Sequence, residues 1–150
     1  MRLPRQPRRA VSAVEAAIVY PVTFVLVLGL MIGAAGIFRY QETAALAREA
    51  ARWASVHGTQ WAKETGNTAA TATDIYNNAI APNVVALDAS QLSYSVSWNS
   101  TNDPAHTVIV NGNVQYVTNT VTVTVNYNWI PELYLGGVTL TSTSVAQMSY

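Results

Sequence analysis

The chain carries few side chains that could do chemistry. It has no cysteine, two histidines and eight carboxylates in 150 residues. Without cysteine there are no disulfides and no thiolate metal sites. His57 and His106 stand alone, outside any metal-ligand spacing. No HExxH, GxSxG, phosphate-cradling or dinucleotide motif occurs. The stretch NSTNDPAHT, Asn99 to Thr107, has oxygen donors for calcium but too few acids for a good loop, and it reads as a turn. His57 ends an apolar helical stripe and reads as a boundary histidine. The composition therefore predicts no enzyme and no cofactor. The informative group is Glu15, a lone acid at the mouth of a long apolar run.

That run, Ala16 to Phe38, holds 23 uncharged residues. At ~1.5 Å per residue it makes a helix of roughly 35 Å, enough to span a bilayer with some tilt. A helix apolar on every side is hard to wrap inside so small a domain, which sets aside a buried core helix. A secretory signal is the competing reading, with Gly33-Ala34-Ala35 as its small-residue cleavage site, but such signals have shorter apolar cores. Pro21 lies early in the run, where a membrane helix tolerates it. Gly29 and Gly33 form a GxxxG pair, a spacing that lets helices approach closely in lipid and that also arises by chance.

An ionised carboxylate deep in hydrocarbon costs about 2.5–3.5 kcal/mol, and less at the boundary. Glu15 is thus either a solvated interfacial acid or one that meets a cation at the same depth. Arg2, Arg5, Arg8 and Arg9 precede the span, whereas Arg39, Arg48 and Arg52 follow it interleaved with Glu42 and Glu49. This bias predicts a cytoplasmic N-terminus and an extracytoplasmic C-terminal part. The C-terminal part is mildly acidic and offers no footprint for nucleic acid.

The stretch RRAVSAVEAAIVYP, Arg8 to Pro21, resembles the start of TadE-like proteins, the minor pilin-like components of tight-adherence (Tad) pili within the type IV pilin group. The resemblance implies a basic leader, residues 1–10, cut between Ala10 and Val11 by a prepilin peptidase. Glu15 would then stand fifth in the mature chain, with Pro21 six residues on, as in TadE-like sequences. Ala10 stands where the family usually has Gly. Ala16 stands where major pilins of this branch often have Tyr, which implies a minor subunit. The cut would create an α-amine on Val11, largely cationic near neutrality. The resemblance further implies that Glu15 meets such an amine on a neighbouring subunit. The implied partners are the peptidase, other pilin-like subunits, the Tad assembly machinery and the lipid bilayer.

Beyond the span, residues 39–64 read as an extracytoplasmic continuation of the stem helix. Leu46, Ala50, Trp53 and His57 form one stripe, and Gly58 is a candidate cap. Thr68 to Asn83 reads as a second helix, with Ile75, Tyr76, Ala79 and Ile80 on its buried face. The period then changes to two. Leu92, Tyr94, Val96 and Trp98 alternate with serine. Val121, Val123, Val125, Tyr127 and Trp129 alternate with Thr and Asn. Asn111-Gly112 between two apolar runs signals a hairpin, and Val138 to Met148 a last strand. The expectation is an α+β protein: leader 1–10, membrane helix 11–38, stem 39–64, and an extracytoplasmic domain over 65–150 with a sheet of about four antiparallel strands. This arrangement resembles the pilin scaffold. Two functions fit: a processed, inner-membrane TadE-like minor pilin, or a permanently tethered extracytoplasmic binding or adhesion module.

Overall fold

A computed structural model describes residues 8–131 and 136–150, with side chains from Val11 onward. The chain is α+β and divides into two units, Met1–Ile37 and Phe38–Tyr150. Helix α1 (Arg8–Val56) contributes to both. It runs on through Pro21, whose missing N–H leaves the carbonyl of Ala17 without its intrahelical donor. Thr23 Oγ1 donates to the Val19 carbonyl nearby, 2.9 Å away.

Within the second unit, the dense alanines of α1 bury Ala47, Ala50, Ala51 and Ala54. Small side chains there let the helix backbone lie close to its neighbours. The stem does not continue to residue 64. It stops at Val56, and a separate helix α2 (Thr59–Thr65) starts after Gly58. Gly58 is buried and its φ is −83°, so it is no left-handed cap. Its role is close approach: a Cβ there would collide with the backbone carbonyls of Tyr150 and Asn102.

The second helix begins at Ala72, four residues later than the pattern suggested. Thr71 and Asp74 form a capping box that sets this start of α3 (Ala72–Ile75). A π-helical turn, Tyr76–Ile80, and a 3₁₀ turn, Ala81–Asn83, extend it. Ile75, Ala79 and Ile80 are buried and Tyr76 is half-buried, as the periodicity predicts. Tyr76 stacks on Tyr94 with ring centroids 4.8 Å apart.

Five strands follow: β1 (Leu92–Trp98), β2 (Ala105–Val110), β3 (Asn113–Thr118), β4 (Thr120–Trp129) and β5 (Val138–Gln147). They form a three-stranded sheet, β1-β4-β5, and a separate hairpin, β2-β3, rather than one sheet of about four. All pairings are antiparallel. Central β4 buries Val121, Val123, Val125, Tyr127 and Trp129 on one face. Val123 sits opposite Val96 of β1 and Ser144 of β5. The opposite face is threonine and asparagine, tied by the Thr124–Thr143 hydroxyl pair at 2.9 Å and by Thr141 donating to Asn126 at 2.7 Å. Asn111 and Gly112 both have positive φ, 53° and 79°, the conformation of a tight two-residue hairpin turn. The core joins β4, the alanine face of α1, and Ile75, Ala79 and Ile80.

Candidate functional site

The candidate site is the N-terminal part of α1. The Ala10–Val11 peptide lies inside the helix, and Val11 and Glu15 are exposed one turn apart. Among the described residues Glu15 has no hydrogen-bond or ion-pair partner. Arg2 and Arg5 of the expected leader lie outside the described residues, so the structure describes only its last three positions, as helix backbone.

Downstream, the helix exposes apolar side chains all round: Ile18, Val22, Val25, Leu26, Leu30 and Phe38 among them. Its mean hydropathy reaches 2.3 and none of the window is buried, so it is long and apolar enough to cross a membrane. Gly29 and Gly33 are open, with no atom within 4 Å of a Cβ built at either. At about 100° per residue, Val11, Glu15, Gly29 and Gly33 fall within roughly 40° of one another around the axis. The acid, the proposed new N-terminus and the two glycines therefore share one stripe.

At the start of the second unit, two of the charges that follow the span, Arg39 and Glu42, serve the fold. Arg39 Nη1 donates to the Tyr127 hydroxyl at 3.0 Å, and its guanidinium lies 5.7 Å from the centre of the Trp129 ring. Glu42 Oε1 accepts from the backbone N–H groups of Val85 and Ala86, both at 2.9 Å. The Asn99–Thr107 segment is also structurally committed. Asn102 Nδ2 donates to the Ala70 carbonyl at 3.1 Å, and Thr101 Oγ1 donates to Asp103 at 3.0 Å. Buried Asn119 donates to the Asp103 carbonyl at 2.8 Å, and its Oδ1 lies 2.5 Å from His106 Nδ1. His106 is thus part of a turn scaffold.

His57 is more than a boundary residue. With Trp53 and Trp61 it lines a cavity to which Asp74 and Asn78 are brought from α3 and the π-helical turn. Sequence reading placed Trp53 and His57 on one stripe but missed Trp61, Asp74 and Asn78. The W-x₃-H-x₃-W spacing from Trp53 to Trp61 was the available signal.

The chain matches no family model, no curated protein and no solved structure. Functional assignment rests on its own residues.

Proposed function

We propose that the chain is a TadE-like minor pilin: a structural subunit held once in the inner membrane and released for assembly by cleavage after Ala10. One observation carries this reading. Glu15 stands exposed and, among the described residues, unpartnered, one turn after Val11, at the head of an uncharged stretch, Ala16 to Phe38, whose large apolar side chains are mostly exposed. Hydrocarbon around such a helix disfavours a solitary carboxylate, and a cation on an adjoining subunit offsets that cost. Cleavage generates that cation and removes the basic residues that hold the N-terminus in the cytoplasm. Arg39 and Glu42 make their bonds within the second unit, which suits a folded extracytoplasmic domain.

The test is the intact mass of the chain extracted from membranes of its native host. A mature chain starting at Val11 is the expected result. A chain that keeps residues 1–10 overturns the reading and favours a permanently tethered binding module, to which the aromatic cavity would belong. A start near Gly36 also overturns it, in favour of secretion.

A further inference from the structure

A cavity of about 440 Å³ opens where the end of α1, helix α2 and helix α3 converge. Trp53, His57 and Trp61 supply its aromatic wall. The imidazole stacks on the Trp53 indole, with centroids 3.9 Å apart and planes 12° apart, and meets Trp61 edge-on at 4.7 Å. Asn67, Asp74 and Asn78 supply its polar side.

The hydrogen bonds already made determine what those groups can still offer. His57 Nδ1 lies 2.7 Å from the Trp53 carbonyl, which only accepts, so the ring hydrogen is on Nδ1. That leaves Nε2 of the neutral ring as an acceptor. Asn78 uses its amide to donate to the Asp74 carbonyl at 2.8 Å, and Asn67 to donate to Thr65 Oγ1 at 3.1 Å. Each amide keeps one further N–H, and each side-chain oxygen, with two lone pairs, is left as an acceptor. Asp74 Oδ2 accepts from Thr71 N at 2.9 Å and from Thr71 Oγ1 at 2.7 Å, whereas Oδ1 has no partner among the described residues. The Thr71 hydroxyl and N–H hold the Asp74 carboxyl below its ordinary pKa, so the group is ionised at neutral pH. Among the described residues no lysine or arginine lines the cavity.

The site thus combines π systems, one anionic oxygen and a surplus of acceptors. Its complement is a flat, cationic group rich in donors. We propose that the cavity binds a guanidinium, carried either by an arginine side chain of a partner polypeptide or by a small guanidino compound. A guanidinium has five N–H donors in one plane, is weakly hydrated and is attracted to indole faces. A compact ammonium has three donors and a stronger hydration shell to lose. A neutral sugar can donate a hydroxyl to Asp74, but it presents acceptors as well as donors and brings no charge to pair with the carboxylate.

The experiment uses the full chain in polyoxyethylene-detergent micelles, followed by the ¹⁵N–¹H signals of its four indoles. Trp98 and Trp129 lie on the sheet, in β1 and β4, and serve as internal references. The probes are methylguanidinium, N-acetyl-arginine amide, and the same amide built on citrulline, the neutral isostere. The arginine amide should give saturable shifts at Trp53 and Trp61 only, and the citrulline amide should bind about fivefold more weakly or worse. Asp74→Asn and Trp61→Leu should each weaken the arginine amide by about fivefold. The second variant leaves the α3 capping box in place and keeps the test readable should the first disturb that helix. A tighter arginine amide than methylguanidinium assigns the group to a polypeptide, and equal affinities assign it to a small molecule. Equal binding of the citrulline amide, no saturable shift at either indole, or equal shifts at all four would overturn the proposal.

Discussion

Replacing Gly58 by alanine should unfold the second unit at much lower denaturant than the parent chain. The added methyl meets the carbonyl oxygens of Tyr150 and Asn102 at distances no Cβ adopts, and comes within 2.8 Å of Met148 Cε. The methionine can rotate away, but the carbonyls are pinned. Asn102 O accepts from Thr59 N at 3.0 Å. The chain at Tyr150 is tied by Ser149 N and Tyr150 N donating to the Ser55 carbonyl, at 2.9 and 3.3 Å, and by Met148 N donating to the Asn119 carbonyl at 2.8 Å. Relieving the collision means moving one backbone segment and loosening at least one of these bonds. Overpacking costs about 1–3 kcal/mol and a lost hydrogen bond about 0.5–1.5 kcal/mol, so about 3 kcal/mol is the expected total. With a urea slope near ~2 kcal/mol/M, the midpoint should fall by about 1.5 M. The assay is urea unfolding of the full chain in micelles, read by tryptophan fluorescence. Gly33→Ala is the control: its Cβ meets nothing within 4 Å, and alanine is the better helix former, so its midpoint should not fall. A Gly58→Ala midpoint within about 0.2 M of the parent, on the same slope, would refute the close approach.

Two further outcomes follow from the capping box and the stem. The Asp74 and Asp88 carboxyls are held below their ordinary pKa, chiefly by the side chains of Thr71 and Ser90 respectively. Their contribution is therefore fully present above the unfolded value of about 4 and is lost as pH falls below it. The melting-temperature gap between the parent and Thr71→Val should stay constant from pH 7 to about 5 and narrow below about 4; a gap that ignores pH would contradict this. Glu15→Ala and Gly33→Leu should leave membrane insertion intact yet reduce co-purification with partner subunits. Ala34→Leu, about 100° away around the helix, should not; equal loss in all three variants would rule out a specific face.

Much of the fold was legible because it rests on local rules. The alternation in β4 needs only one buried face, and all five of its predicted inward residues are buried. Asn111-Gly112 fixes its turn through backbone conformation alone. Thr71 and Asp74 carry a readable cap, but the Thr/Ala run that begins at Thr68 masked it. The end of α1 was not readable in the same way. Gly58 is required by two backbone segments more than forty residues away in sequence, and the residue type alone does not distinguish that from a cap. The separation of β2-β3 from the main sheet likewise depends on what β4 pairs with: β1 and β5 take both of its edges, so the hairpin that precedes β4 in the chain does not pair with it. The cavity was hidden for a similar reason. Its aromatic wall is local in sequence, but Asp74 and Asn78 reach it through α3 and a π-helical turn that periodicity does not foretell.

The stripe on α1 links the stem's two sets of residues through a single offset. Glu15 follows Val11 by four positions, and Gly33 follows Gly29 by four. Set two such helices side by side and parallel, shifted along their axes by about 6 Å, the rise of four residues. Glu15 of one then lies level with Val11 of the other, and Gly33 of the first lies level with Gly29 of the second. One shift therefore brings the carboxylate to the proposed new amine and places the smallest side chains opposite each other, where backbones can close. In that proposed arrangement the charges would supply register, because an ion pair in a poorly solvating medium is favourable only when both members are present at the same depth. The glycines supply no register but permit the contact distance that makes the register enforceable. Exposure of all four residues leaves this face free for a neighbour. Each half needs the other: glycines without the acid allow sliding, and the acid without the glycines meets its partner across a gap held open by side chains.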